Sequence, residues 1–286
     1  MGAFGQSSTW SVHGPTPLVG RDAELSHLEA ALLRVRTQKN SQIVTIFGGT
    51  GIGKTRLARD LLTKQREGGK EVLRVFRGSV RDSGVPYGVF GRVLRARFGI
   101  VEGMDAEAAK AQVRAQVATV LEDRKVGDVL YFLGQLLDLE FMDSPLIEAV
   151  RSEPQQMRFL RRAVIKRFLE ADAKSAALTK FPSEPVTTTV LVFDDLHAAH
   201  DDSLELLATL LESLDAPLLI LCLARPELFA RRDEWRRLGG LRHTAIELGT
   251  LSESDAAKAM RALLAPVSES PAIEELVDSA CAFANG

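Results

Sequence analysis

One stretch of thirteen residues constrains this chain more than the rest of it. Ile43-Val44-Thr45-Ile46-Phe47 has the β-branched character of a buried strand and runs straight into Gly48-Gly49-Thr50-Gly51-Ile52-Gly53-Lys54-Thr55. The glycine spacing, with Lys-Thr after the second glycine, is that of a phosphate-binding P-loop. Glycines let successive backbone N–H groups turn inward toward phosphate oxygens, and the helix that follows adds its positive N-terminal end. The run Arg56-Leu57-Ala58-Arg59-Asp60-Leu61-Leu62 supplies that helix. Gly48, Gly49, Thr50, Gly51, Ile52, Gly53, Lys54, Thr55 and Arg56 are therefore candidate nucleotide contacts. Lys54 is expected to reach the β- and γ-phosphates, and the Thr55 hydroxyl to ligate Mg²⁺.

A chain of 286 residues has room for one large domain or two ordinary ones. Its 45% hydrophobic and 26% charged residues describe a globular protein with an ample core. A net charge of −2 and a pI near 6.3 leave no global positive field for holding nucleic acid, so no polynucleotide partner is implied. Cys222 and Cys281 sit in apolar contexts without a Cys-x-x-Cys pair, as reduced thiols do, so neither disulfide nor zinc is expected. No apolar run approaches the roughly 18 residues needed to cross a bilayer, and Met1 to Pro17 reads as a Gly/Ser/Pro-rich tail. A cytoplasmic location is the default expectation.

Beyond the tail, Leu25, Leu28, Leu32 and Val35 fall at helical spacing. The P-loop strand is expected at 42–47, its helix at 54–65 and a second strand over 72–76, a right-handed parallel unit. Residues 85–176 read as a helical insert. One of its helices starts at Ser152-Glu153-Pro154-Gln155 and buries Met157, Leu160, Val164 and Phe168. Ala171 to Pro185, polar and proline-bearing, is expected to loop out before a strand near Val186.

That strand, Val190-Leu191-Val192-Phe193, ends in Asp194-Asp195. An unbroken apolar run closed by carboxylates fits a fully buried parallel strand whose carboxyl end faces the ligand crevice. Asp194 is the Walker B acid, expected to hold Mg²⁺ with Thr55. Asp195 is placed to orient or activate water where many P-loop ATPases use glutamate, and its shorter side chain implies slow turnover. His197 and His200 are read as solvent-facing or capping, with no catalytic role. A further buried strand, Pro217 to Ala224, stops at Arg225-Pro226, where proline keeps Arg225 extended. Its order along the chain is that of the additional-strand class, in which this strand lies between the other two. Arg225 then projects toward the γ-phosphate as a sensor. Ala245-Ile246-Glu247-Leu248 reads as a fifth strand, followed by a helix from Leu251-Ser252-Glu253-Ser254-Asp255 that starts a helical lid over 249–286. The expected fold is an α/β P-loop NTPase with a five-stranded parallel sheet, flanking helices, the insert and this lid.

Together these segments resemble the signal-transducing STAND ATPases, as found in large ATP-binding LuxR-type regulators and in ATPase modules fused to kinases or cyclases. The resemblance runs from Leu18 onward. It is carried by Leu18-Val19-Gly20-Arg21-Asp22-Ala23-Glu24-Leu25, Gly51-Ile52-Gly53-Lys54-Thr55-Arg56-Leu57, Asp194-Asp195-Leu196-His197, Ala224-Arg225-Pro226-Glu227-Leu228 and Leu248-Gly249-Thr250-Leu251-Ser252. It implies that Val19, Gly20 and Arg21 lie by the adenine; a purely structural loop is the alternative reading. It also implies ATP and ADP as ligands, because the absence of an Asn-Lys-x-Asp guanine-reading motif decides little.

Two departures stand out. Ala198-Ala199-His200 replaces the family's usual Trp-Ala-Asp, removing an aromatic beside the site. The sequence also ends at Asn285-Gly286, where the family runs on into further domains, so a fragment of a longer protein is expected. The implied function is a switch: ADP holds a resting form, exchange for ATP permits assembly with itself or protein partners, and hydrolysis resets it. Two alternatives remain. One is a hexameric mechanical ATPase with an arginine finger drawn from Arg231, Arg232, Arg236 or Arg237, which otherwise form an exposed basic helix face. The other is an interaction module that keeps nucleotide without turnover, for which the basic face Arg158, Arg161, Arg162, Lys166 and Arg167 offers a surface.

Overall fold

The computed structural model describes residues 16–68, 72–121, 123–142, 145–178 and 186–264, together with 277 and 279. The expected tail up to residue 15, Cys281 and most of the lid beyond residue 264 lie outside the described residues.

Elements follow in the order α1 (Asp22–Gln38), β1 (Gln42–Phe47), α2 (Lys54–Glu67), β2 (Val72–Ser79), α3 (Gly88–Phe98), α4 (Ala106–Ala118), α5 (Asp123–Leu137), α6 (Pro145–Val150) and α7 (Pro154–Ala177). Then come β3 (Thr187–Asp194), α8 (Asp201–Ser213), β4 (Leu218–Ala224), α9 (Glu227–Arg231), β5 (His243–Glu247) and α10 (Glu253–Leu264). The five strands form one sheet in the order β2-β3-β4-β1-β5, every pairing parallel. β4 therefore lies between β1 and β3, as its place in the chain predicted.

Alternation along the strands assigns the two faces. Val44 and Ile46 of β1, Val190 and Val192 of β3, and Leu219, Leu221 and Leu223 of β4 pack with Leu28, Leu32 and Val35 of α1 and Leu57 and Leu61 of α2. The alternate residues Ile43, Leu191, Phe193, Leu218 and Ile220 join a second core with α3, α4, α5, α7 and α8. The 85–176 segment is thus helical, as expected, and shares its core with the sheet. β1 and β4 are buried along their whole length, which accounts for the apolar character of both without a helical period.

The segment expected to loop out from Ala171 is instead helix as far as Ala177. Ala171, Ala173, Ala176 and Ala177 favour helix, and Asp172, the polar residue that suggested a loop, is buried against two arginines. Four helix ends are fixed by local chemistry. Asp105 caps α4 by accepting the Ala108 N–H at 2.9 Å. Pro154 opens α7, where its missing N–H costs nothing. His200 caps α8 by accepting the Asp202 N–H at 3.2 Å, in line with its expected role. At the other end of α8, the Arg242 guanidinium takes the Leu211 and Glu212 carbonyls.

Candidate active site

The C-terminal ends of β1, β3 and β4 meet in a small area, and each delivers one part of the P-loop constellation. Gly53, at φ 102°, is the residue from which α2 starts, a left-handed conformation that a side chain would strain. No side chain caps α2, so its first N–H groups stay available for a phosphate. Gly48 is fixed by proximity: a Cβ there would lie 2.6 Å from the Leu248 carbonyl at the end of β5. Lys54 folds back over the loop, donating to the Gly48 and Gly49 carbonyls at 2.9 and 2.6 Å. Burial, then the nearby Arg225, pulls its pKa down, while Asp195, Asp194 and Glu227 oppose the shift. Lys54, Arg225 and both acids therefore occupy one electrostatic neighbourhood.

Asp194 is buried, with the Thr55 hydroxyl 3.3 Å from Oδ2 across 139 positions of sequence. A hydroxyl and a carboxylate converging at a P-loop are hard oxygen donors of the kind Mg²⁺ takes. No group of three or more His, Cys, Asp or Glu suited to a metal occurs among the described residues. Asp194 Oδ1 accepts the Asp195 N–H at 2.9 Å. Asp195 sits at φ 58°, in the left-handed region that aspartate tolerates better than most residues, and turns the chain from β3 into a short 3₁₀ segment, Leu196–Ala198. Its Oδ2 accepts the Ser79 hydroxyl at 3.0 Å.

Two of these partners, Arg77 and Ser79, escaped the sequence reading. Arg77 donates to Asp194 Oδ2 at 2.5 Å. Both residues lie on β2, paired in register with β3 so that Ser79 stands opposite Asp194. The available signal was a pair of arginines, Arg74 and Arg77, inside a strand otherwise made of Val72, Leu73, Val75 and Phe76, since a charge in such a place needs a partner.

Arg225 directly follows β4, half-buried, and depresses the pKa values of Lys54 and His197. His197 is half-buried beside the site, so the solvent-facing reading fails for it. Burial and then Arg225 lower its pKa, and its Nδ1 is enclosed without a hydrogen-bond partner among the described residues.

The four arginines read as one helix face are split up: Arg231 ends α9, Arg232 is the junction residue, and Arg236 and Arg237 lie in the 3₁₀ segment Asp233–Arg237. Arg231 donates to the His197 and Ala199 carbonyls and to Asp201, at 2.7, 3.0 and 2.8 Å, clamping the chain that follows Asp195. Arg232 also reaches Asp201, and Arg236 lies over the rings of Phe47 and Phe229. In the α7 group, Arg161 is committed to Tyr87 and Gln135, Arg162 to Glu205 and Lys166 to Glu170.

Arg56 points away from the P-loop interior, to Asp60 and to Thr16. It thereby anchors the segment leading to Val19 and Gly20. Arg21 is buried and donates to the Gly249 carbonyl at 2.5 Å and to Glu24 at 3.1 Å, while Gly20 abuts Asp255 at the start of α10. The loop before α1 is therefore tied to the chain leaving β5. No helix among the described residues is long and apolar enough to cross a membrane.

A family model described as AAA ATPase domain matches residues 17–221. Among solved structures, Drosophila ORC bound to DNA is similar at 15% identity and a TM-score of 0.48, over 94% of this chain and 52% of that one. The Aeropyrum pernix ORC2 protein in its ADPNP-ADP complexes is similar at 12% identity and a TM-score of 0.48, over 89% of this chain and 54% of that one. The chain thus spans about half the length of these two proteins. No curated protein matches it.

Proposed function

Because the chain belongs to the AAA ATPase domain family, we propose that it is an ATP-binding, slowly hydrolysing module of the STAND type, working as an ADP/ATP switch with Mg²⁺ inside a larger regulatory protein. The observation that carries the reading is the convergence of Thr55 and Asp194 beside Lys54, with Asp195 and Arg225 in the same electrostatic neighbourhood. Bound at Thr55 and Asp194, Mg²⁺ would neutralise phosphate charge. Lys54 exchanges its loop carbonyls for phosphate oxygens. Asp195, held by Ser79, orients the attacking water and accepts its proton. Arg225 carries positive charge to the departing γ-phosphate.

The switch reading draws on the tie between Arg21 and Gly249 and on the contact of Gly20 with Asp255. Val19, Gly20 and Arg21 are proposed to edge the adenine, so a base bound there touches the segment leading into α10 and the lid. A ligand shifts a conformational equilibrium only by contacting the two states differently, and this loop offers such a contact.

The test is the nucleotide released when the purified protein is denatured, with steady-state hydrolysis assayed beside Lys54→Ala and Asp194→Ala. Co-purified ADP with little turnover supports the switch. Loss of Lys54 is expected to weaken nucleotide binding on the order of 100-fold, because it removes charge-assisted bonds to phosphate. Brisk, concentration-dependent turnover from an empty site would favour a ring ATPase, and tight nucleotide without turnover the interaction module.

A further inference from the structure

We propose that Arg77 is an internal counter-cation for Asp194 that sets how much divalent metal the nucleotide site requires. This rests on the reading of Thr55 and Asp194 as the metal-facing pair. Asp194 directs Oδ1 to the Asp195 N–H, while Oδ2, the oxygen on the Thr55 side, also receives the Arg77 guanidinium at 2.5 Å.

The fold dictates this placement. Leu73 and Val75 of β2 pack in the same core as Val190 and Val192 of β3, on the face covered by α1 and α2. Alternation carries Arg77 and Ser79 onto that face, and carries Asp194 there from β3. The register sets Arg77 opposite Val192 and Ser79 opposite Asp194, so the guanidinium reaches two residues forward along β3 to the carboxylate.

The exposures give the pair its direction. Asp194 keeps 4% of its side chain exposed and Arg77 30%, so the carboxylate is fixed and the arginine is the partner with room to withdraw. In a site shielded from water, a hydrogen bond between ions is strong and a second cation nearby is costly. Arg77 must yield Oδ2, or tolerate a divalent neighbour, before Asp194 can serve a metal. In the absence of metal it does the opposite service, masking a buried anion that would otherwise repel entering phosphates.

The two effects have opposite signs, which separates this role from a structural one. N-methylanthraniloyl-ADP is titrated into the protein in EDTA and again at rising MgCl₂, for wild type, Arg77→Gln, Arg77→Lys and Asp194→Asn. Arg77→Gln is expected to bind the nucleotide roughly tenfold more weakly in EDTA, and to reach its half-maximal magnesium response at roughly tenfold lower MgCl₂. Arg77→Lys stays near wild type in both, and adding Arg77→Gln to Asp194→Asn moves neither. Should glutamine unfold the strand, Arg77→Met, with a stem of similar length, carries the same test. Unchanged values, or weakening in both buffers by the same factor, would overturn the proposal. A wild-type protein that fails to bind the probe in either buffer would instead remove the nucleotide site itself.

Discussion

Asp172 on α7 and Asp194 on β3 are both buried, with 5% and 4% of their side chains exposed, and each is held by an arginine from β2. Arg74 faces the helical insert and reaches Asp172, while Arg77, on the opposite face of the same strand, reaches Asp194. Their surroundings differ. Asp172 is enclosed by a second guanidinium, Arg97 of α3, which takes both of its oxygens, and the two arginines lie against the ring of Phe76. Asp194 has one arginine, a hydroxyl and a backbone N–H, all at the open end of the sheet. One strand thus supports two carboxylates of equal burial: a closed one that fastens three elements and one whose partners can exchange.

The sharpest way to break this contrast is to remove each carboxylate. Asp172→Ala leaves Arg74 and Arg97 without their counter-ion, the latter only 11% exposed, and is expected to cost about 3–5 kcal/mol in urea unfolding. Nucleotide affinity of the folded fraction should be unaffected. Asp194→Ala releases an arginine that can turn to water, and is expected to cost only about 1–2 kcal/mol. Equal losses for the two would mean that Asp194 is a structural anchor after all. A second, somewhat smaller effect belongs to the acid next to it. Asp195→Asn should lower single-turnover ATP hydrolysis by about 100-fold or more, the scale of a general base, while ADP still binds. Hydrolysis equal to wild type would leave Asp195 as no more than a partner for Ser79.

The same pair shows what could be read without coordinates. Asp194 is legible because a strand apolar along its length tolerates carboxylates only where it opens onto a crevice, and the P-loop upstream points to phosphate as the occupant. The place of β4 between β1 and β3 was legible from the order of the strands along the chain. Asp172 was not: it sits among alanines and lysine in a stretch that looked like a loop, and its partners lie 75 and 98 positions away. Arg77 and Ser79 lie 117 and 116 positions from the acids they contact. Contacts of that kind depend on which strand becomes the neighbour and in what register, and neither is encoded in local spacing. The arginines after β4 were misread for a related reason, since a short helix that breaks into a 3₁₀ turn scatters residues that a continuous helix would align.

A third titratable group, half-buried, sharpens the comparison, because the partners it bonds are neutral. His243 at the start of β5 shares Thr45 Oγ1 with the indole of Trp235, at 2.8 and 3.1 Å, and its Nδ1 meets the Leu238 carbonyl at 3.0 Å. With Trp235 donating to Thr45, the hydroxyl proton is free for His243 Nε2, and Nδ1–H then donates to Leu238. Every polar atom in this arrangement is satisfied with the imidazole neutral. Burial pushes the pKa of His243 below its usual value, with the Leu238 bond opposing. A base whose folded pKa lies below its unfolded value takes its proton first in the unfolded chain. The unfolded state therefore binds more protons as pH falls below about 6.5, and stability declines by at most about 1.4 kcal/mol per pH unit until the folded pKa is passed. His243→Gln removes this contribution and leaves the other histidines in place. Urea unfolding at pH 7.5 and 5.5 should therefore show a smaller acid loss in the variant than in wild type. Identical losses would mean that His243 titrates freely in the fold and that its bonds to Thr45 and Leu238 do not hold it neutral. The expected result would set a limit on the contrast between the aspartates: burial alone disfavours charge at His243, whereas Asp172 and Asp194 are buried only together with the cations that pair with them.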